Sequence, residues 1–325
     1  MLTRVASALA GPCRILALLL AAAAPAAALD LRVRAPGLPA DDRQAIESAL
    51  LLSQLATAED APEGQEVLAA AQSDYARVLS ALYDVARFSP EISITLDGRE
   101  AAEISPTRPP QQVTRAEVTV QPGPRFRFGT ARIAPLAPGA AVAEGFATGA
   151  TARAGVIRDA ARTAVTGWRA AGHPLAQIGA QRLTARHQDA QLDADITVQP
   201  GAQLRLGELQ IVTDSAVRPA RIRAIAGLPT GRVFAPEDVQ DAADRLRRSG
   251  AFRAATLEEG TTATADGRLP ILARVTDMAP RRFGLGAELG SDEGLALTMF
   301  WLHRNLLGGA ERLRLGAELS GLGGT

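Results

Sequence analysis

The sequence predicts an α+β protein with three tandem β-α-α-β-β domains, followed by the first strands of a transmembrane antiparallel β-barrel. The first observation is an internal repeat: VTVQPGPRFRFGTARI, from Val118, returns as ITVQPGAQLRLGELQI, from Ile196. Repetition at a fixed offset, here 78 residues from Gly129 to Gly207, marks tandem modules. The second observation is a strict two-residue apolar period after residue 278, which is typical of barrel strands.

The composition argues against several functions. The 35 basic residues balance 35 acidic ones, so the chain lacks the positive footprint of a nucleic-acid-binding protein. Apart from histidine, every basic residue is arginine. A Schiff-base lysine and the lysine of a phosphate-binding P-loop are therefore both excluded.

The N-terminus predicts export. Arg4 and Arg14 flank an apolar run from Ile15 to Ala28, which ends in small residues before Leu29. This layout is typical of a secretory signal peptide, which we assign to residues 1–28. The only cysteine, Cys13, lies inside that segment, so the mature protein is expected to fold without disulfides.

The second and third domains, residues 126–203 and 204–278, show the same order of elements. Each opens with a strand and has a helix with one apolar stripe, AGVIRDAARTAVTGWRAAG or PEDVQDAADRLRRSG. Gly172 and Gly250 end these helices and are again 78 residues apart. Two closing strands follow in each domain, PLAQIGAQRLTA and QLDADITV in the second, AFRAATLEE and LPILARVTD in the third.

The first domain, residues 29–125, is a diverged copy. LDLRVRA predicts its first strand, and PEISITL and TRAEVTV predict its two closing strands. DRQAIESALLLSQL and GQEVLAAAQSDYARVLSALYDVA predict its helices, the second of which ends without the glycine of the other copies.

Residues 279–325 alternate apolar residues with polar residues or glycine. RRFGLGAELG and ERLRLGAELSG predict two strands, and the segment between them carries Met299, Phe300 and Trp301 as an aromatic belt. A half-buried sheet in a soluble domain would show the same alternation. Three strands cannot close a barrel, and an open edge is not viable in lipid, so we expect the barrel to be truncated here.

The repeats resemble POTRA domains, and HRNLLGGAERLRL resembles the early barrel of the Omp85 superfamily. Three repeats with a diverged, helix-rich first copy resemble the TamA type of that superfamily. The resemblance implies an outer-membrane protein with periplasmic POTRA domains that inserts clients such as autotransporters. It also implies contact with unfolded outer-membrane protein clients, with outer-membrane lipid and with a TamB-like inner-membrane-anchored partner that docks on the N-terminal repeats.

No catalytic or metal-binding motif is recognised, so we expect neither an enzyme nor a cofactor. His173, His187 and His303 lie far apart in sequence, and GSDEG, from Gly290, lacks the serine spacing of a nucleophile elbow. Three alternatives stay open: a two-partner secretion type transporter, a soluble periplasmic binding scaffold, and an exported enzyme whose site is not recognised.

Because no catalytic site is expected, we expect the protein to act by binding other polypeptides at exposed strand edges. A three-stranded sheet covered by helices leaves an edge to which a client strand can add through main-chain hydrogen bonds. By analogy with POTRA topology, we assign the edges to Glu91–Leu96, Leu175–Gln181 and Phe252–Glu258. The candidate binding residues on them are Ile92, Ile94, Leu96, Leu175, Ile178, Phe252, Ala254 and Leu257. Proline at Ile94 or Ala254 is expected to weaken client binding and leave the fold intact.

Overall fold

The structure is a computed structural model that describes residues 29–290 and 294–322. It forms two compact units. The first contains the described residues up to Leu82 together with Ser89–Gly123, and the second contains Tyr83–Phe88 and the described residues from Pro124 onward. The predicted signal peptide, residues 1–28, and the central residues of GSDEG lie outside the described residues.

The secondary structure follows the predicted order in the third repeat, whereas the first repeat has an additional helix and an additional short strand, and the second has one α-helix instead of two. The helices are α1 (Ala40–Ala49), α2 (Leu51–Ala56), α3 (Gly64–Asp84), α4 (Ala154–Ala170), α5 (Pro219–Ala226) and α6 (Pro236–Arg248). The strands are β1 (Asp30–Arg34), β2 (Glu91–Leu96), β3 (Arg99–Glu100), β4 (Arg115–Gln121), β5 (Arg127–Ala134), β6 (Gln177–Arg186), β7 (Gln191–Gln199), β8 (Arg205–Ile211), β9 (Phe252–Glu259), β10 (Arg268–Asp277), β11 (Arg281–Gly290), β12 (Gly294–Arg304) and β13 (Arg312–Leu322). None of the helices in this described part of the chain is long and apolar enough to cross a membrane.

The first repeat is a four-stranded sheet in the order β1-β4-β2-β3. β1 is parallel to β4, which the long connection between these two strands allows, and β2 is antiparallel to β4. Alternate residues of β4, including Val118 and Val120, are fully buried and pack with Val78 and Leu82 of α3. The short strand β3 was not predicted from the sequence.

A buried carboxylate divides the first predicted helix. DRQAIESALLLSQL forms two helices, because the backbone at Leu50 is extended and α2 begins anew at Leu51. Asp74 of α3 accepts the N–H groups of Leu51 and Leu52 at 2.8 and 3.0 Å, so it satisfies the unpaired donors at the start of α2. Burial raises the pKa of Asp74, and the two N–H groups oppose that rise.

The second and third repeats each have a three-stranded sheet, in the orders β5-β7-β6 and β8-β10-β9. In both, the first strand is parallel and the strand after the helices is antiparallel to the central strand. The third repeat has two helices, α5 and α6, as predicted. In the second repeat only α4 forms, and the preceding segment is irregular because Gly139, Gly145 and Gly149 all take positive φ values.

Arg169, near the end of α4, joins the second repeat to the third. Its guanidinium binds the Glu259 carboxylate of β9 at 2.5 Å and the Pro174 carbonyl at 2.7 Å. It also lies over the ring of Phe234, 5.8 Å from the centroid. Gly172 follows with a φ of 93° and accepts the N–H of Leu204 at 2.9 Å. These contacts join the end of α4 to the third repeat.

The three last strands form an antiparallel sheet in the order β11-β12-β13, which we call the C-terminal sheet. The register aligns Phe283, Trp301 and Leu315 on one face and places Gly284 beside Phe300 on the other. Phe300 packs against Gly284, where a Cβ would collide with its ring. Arg282 and Arg314 flank the same ring at 6.0 and 4.5 Å from its centroid.

The turn between β12 and β13 docks on the third repeat. The carbonyl of Gly308 accepts the backbone N–H of Arg218, just before α5, at 2.9 Å, and Arg221 donates to the Gly309 carbonyl at 3.0 Å. Ala310 packs against the apolar core of the third repeat. Arg312, at the start of β13, donates to the Ser249 carbonyl at 3.0 Å. The third repeat therefore contacts the C-terminal sheet at a second place besides the covalent link after β10.

Candidate functional site: the open edge of the second repeat

Main-chain recognition requires a strand edge that no other part of the chain covers. In the second repeat, residues 149–152 cover the start of β5 through hydrogen bonds to Phe126 and Phe128. In the third, residues 231–234 cover the start of β8 through bonds to Leu204 and Leu206. The strands that follow the helices, β2, β6 and β9, are the edges predicted from the sequence. The structure shows that these three edges differ in how far other side chains occupy them.

In the first repeat, side chains occupy the edge of β2. The N–H of Ile94 donates to the Glu100 carboxylate at 3.1 Å, and Tyr75 donates its hydroxyl to the same carboxylate. Thr95 and Leu96 pair with β3. Ile92 packs against the core, and the side chains of Ile94 and Leu96 are buried in it. The expectation that proline at Ile94 leaves the fold intact is therefore wrong, because it would remove a used N–H within the core.

The same cluster shifts two pKa values. Burial, and then the hydrogen bond to Glu100, raise the pKa of Tyr75 to about 12. Burial acts to raise the pKa of Glu100, but donors from Tyr75, Ser93 and Ile94 outweigh it and lower that pKa. The carboxylate is therefore held ionised at the position where an added strand would have to bind.

In the third repeat, the edge of β9 is partly occupied. Phe252 is buried in the core, Leu257 is half-buried and Ala254 is exposed. Arg247 of α6 donates to the Ala255 carbonyl in the middle of the strand at 3.3 Å. The edge is thus exposed at Ala254 but approached by a helix side chain at the next residue.

In the second repeat, β6 is the most exposed of the three edge strands. Eight of its ten residues are exposed, and only Ile178 and Ala185 are half-buried. Leu175 is also exposed but lies before the strand, which begins two residues later than predicted. No side chain of the described residues is seen to bond to the main chain of β6, in contrast to β2 and β9.

An apolar groove runs between β6 and α4. Leu183, at 45% exposure, forms one wall with Gln181 and Ala185, and Ile157 with its neighbours in α4 forms the other. The groove has a volume of 420 Å³, and its floor is Leu192 of β7. It exists because α4 covers β7, whose helix-facing residues are buried, but does not reach across β6.

Aromatic residues close one end of the groove. Tyr83 and Phe88 stack with their centroids 4.8 Å apart, and Phe88 packs edge-on against Phe126. An ion pair of 2.7 Å from Arg158 of α4 to Asp84 fastens this segment. The groove can therefore accept large apolar side chains on alternate residues of a strand added to β6.

The sequence reasoning missed Leu183 and Ala185. A bulge between Ile178 and Ala180 shifts the register with β7, so the groove-facing residues after it are Gln181, Leu183 and Ala185. Gly179 is the visible signal, because an isolated glycine within a strand pattern often marks a bulge. The alternation of QRLTAR was the second signal, since it places Leu183 and Ala185 on one face.

The described residues contain no group of three or more His, Cys, Asp or Glu side chains that could hold a metal ion. The three histidines lie apart: His173 contacts the Gly201 carbonyl, His187 packs on Phe126, and His303 packs on Trp301.

Comparisons with known proteins give structural likeness alone: no protein-family model matches the sequence, and no curated protein matches it. POTRA domains 3–5 of BamA from Haemophilus influenzae match with a TM-score of 0.51 and 13% identity, over 77% of this chain and 96% of that one. BamA from Haemophilus ducreyi lacking POTRA domains 1–3 matches with a TM-score of 0.50 and 16% identity, over 60% of this chain. The chain spans 37% of the length of that second structure. CdiB from Acinetobacter baumannii has a TM-score of only 0.33, at 14% identity over 61% of this chain and 39% of that one, and carries no argument.

These likenesses confirm the predicted fold class. The protein is an α+β chain of tandem POTRA domains, followed by the first strands of an antiparallel β-barrel. The three repeats run from β1 to β10, and β11–β13 form the separate antiparallel sheet that follows them.

Proposed function

We propose that the chain acts in the assembly or transport of outer-membrane proteins, as a member of the Omp85 superfamily. The POTRA domains would lie in the periplasm and the C-terminal sheet in the outer membrane. The shared fold with BamA supports this proposal. The observation that carries it is the uncovered edge of β6 beside its apolar groove, because this site suits an extended polypeptide.

In this function a client strand adds to β6 through main-chain hydrogen bonds. Such bonds do not depend on sequence, so one edge can serve many clients. Every second side chain of the client would enter the groove and contact Leu183 and Ile157, while the others face solvent. A strand that alternates apolar and polar residues, as strands of outer-membrane proteins do, satisfies both faces.

The narrower role we propose is that of a TamA-like assembly factor. Three POTRA domains in series ahead of the barrel strands support it, because repeat number distinguishes the types of the superfamily. The clients would include autotransporters, and a TamB-like inner-membrane-anchored protein would dock on the first repeat. The occupied edge of β2 suggests that such a partner uses another surface of that repeat.

Hydrogen exchange on the whole chain tests the binding site. The probe is a synthetic peptide of about ten residues that alternates apolar and polar side chains, the length of a barrel strand. We expect the peptide to slow exchange of amides in β6 and to leave β9 and β2 unchanged. Slowed exchange in another segment only, or no slowed exchange in any segment, would contradict the site.

A matched pair of variants tests the groove. Leu183→Gln removes an apolar contact from the groove, whereas Thr184→Gln introduces the same glutamine on the opposite face of the same strand. Losing about 1.5 kcal/mol of apolar burial should weaken peptide binding about tenfold in the first variant. Equal affinity of the two variants would show that the groove does not contribute.

A further inference from the structure

One face of the C-terminal sheet is apolar and uncovered in the described chain. Leu285 is 86% exposed and Phe283 is 74% exposed, and Met299 of β12 and Leu315 of β13 are also exposed. The register places them in cross-strand rows. The described residues of this face are Arg281, Phe283, Leu285, Ala287, Leu297, Met299, Trp301, His303, Leu313, Leu315, Ala317 and Leu319.

The end of this face nearest the third repeat is basic. Arg281 lies directly opposite His303, one row beyond Phe283 and Trp301. Within the described residues, Arg281 is exposed and its guanidinium is in no ion pair or hydrogen bond that the structure shows. The ring of His303 packs edge-on against Trp301 at 5.7 Å. Its Nδ1 is buried without a partner in the described chain.

Acidic side chains are absent from this face among its described residues. Glu288 of β11 and Glu318 of β13 project from the opposite face, since they alternate with the apolar residues. A ligand at the Arg281–His303 row therefore meets two nitrogen donors, an indole ring and a broad apolar surface. It meets no competing carboxylate there.

We propose that the Arg281–His303 row binds the phosphate of an anionic phospholipid headgroup, whose acyl chains cover the apolar rows beside it. The proposal rests on the proposed function in one respect, which is that this face meets a membrane. A guanidinium fork and an imidazole N–H are suitable donors to a phosphate oxygen, and indole rings prefer the level of the headgroups. A partner protein with a purely apolar surface would leave Arg281 without a counter-ion. A phospholipid supplies both an anionic phosphate for Arg281 and acyl chains for the apolar rows.

Binding of the full chain to vesicles tests the proposal. The probes are vesicles of phosphatidylcholine alone and vesicles in which about one third of the lipid is phosphatidylglycerol, a fraction high enough to give a negative surface. The variants are Arg281→Gln, His303→Gln and their combination. Arg282→Gln is the control, because it removes the same charge from the neighbouring residue on the opposite face.

Wild type is expected to bind the anionic vesicles more tightly than the neutral ones. Arg281→Gln should reduce that preference about fivefold, the value of one basic residue at an anionic surface, and the double variant further. Arg282→Gln should retain most of the preference for anionic vesicles. An equal loss in Arg281→Gln and Arg282→Gln would overturn the proposal, since it would reduce the effect to net charge.

Inorganic phosphate separates a lipid site from a simple anion site. Excess phosphate should release no more chain from the anionic vesicles than chloride at the same ionic strength. Selective release by phosphate would overturn the lipid assignment.

Fluorescence distinguishes failure of this proposal from failure of the proposed function. Trp168→Phe leaves Trp301 as the single tryptophan, and lipids with brominated acyl chains quench it only when it lies in the membrane. Quenching in all variants with an unchanged lipid preference would refute the headgroup site and leave the membrane role intact. Absence of quenching with wild type would refute the membrane role itself.

Discussion

The contact of Arg169 with Glu259 predicts an energetic coupling between the second and third POTRA domains. The perturbation is a double-mutant cycle made of Arg169→Met, Glu259→Ala and the combination. Methionine removes the charge and with it the contact of the guanidinium with the Phe234 ring, and the cycle cancels this loss because it is common to both variants that carry the substitution.

The structure sets the size of the effect. The two side chains are 30% and 22% exposed and 2.5 Å apart. Two charges about 4 Å apart attract each other by about 4 kcal/mol at an effective dielectric constant of about 20. The free-energy cost of removing both charged groups from water offsets most of this attraction, so we expect a coupling free energy of about 1–2 kcal/mol. Arg169→Met alone should cost more, about 2–3 kcal/mol, because the hydrogen bond to the Pro174 carbonyl is also lost.

Urea unfolding of the full chain measures these free energies. Trp168 precedes Arg169 in α4, so its fluorescence reports on this region directly. The control is the pair Arg132 and Asp195 of the second repeat, 3.5 Å apart and 70% and 47% exposed. An exposed pair of this kind should couple by less than about 0.5 kcal/mol. If the Arg169 cycle gives no larger coupling than the control cycle, the contact does not join the two domains energetically.

Three further outcomes are expected in stability measurements. Asp74→Ala leaves one buried and one half-buried N–H group without an acceptor and should destabilise the first repeat by about 2–4 kcal/mol in urea unfolding, and a loss below about 1 kcal/mol would contradict the capping role. Because the pKa of Tyr75 is raised from 10.0 to about 12, its neutral form contributes stability that is complete below pH 10 and lost as the pH rises towards 12. An ultraviolet titration should show a late phenolate transition that Tyr75→Phe removes, and a wild-type curve without it would contradict the buried cluster. Gly250→Ala should lower stability by about 1 kcal/mol more than Gly267→Ala, since both have positive φ but only the first places a Cβ against the Arg312 guanidinium, and equal losses would argue against that contact.

The repeats could be predicted from the sequence because their buried faces repeat in the chain. Val118 and Val120 alternate in β4 as Ile196 and Val198 do in β7, and each alternation follows from one buried sheet face. Helix α6 was equally visible, since its apolar stripe ends at Gly250, which takes a positive φ.

The differences between the three edges could not be predicted, because they depend on side-chain contacts that form only once the chain has turned back on itself. Glu100 reaches the main chain of Ile94 only after β3 turns back on β2, and nothing in EISITL indicates it. The break at Leu50 depends on Asp74, which the sequence alone does not distinguish from any other polar residue of a helix. The groove residues Leu183 and Ala185 depend on a bulge whose register only the pairing with β7 reveals.

The docked turn between β12 and β13 limits how the third repeat can move against the C-terminal sheet. A body attached to another at one point can swivel in every direction, whereas a body attached at two points can rotate only about the line that joins them. The covalent link after β10 is one such point. The hydrogen bonds of Arg218 and Arg221 to the carbonyls of Gly308 and Gly309 are the other. Any force applied to the third repeat along its length is therefore delivered to the β12–β13 hairpin and not absorbed by a loose hinge.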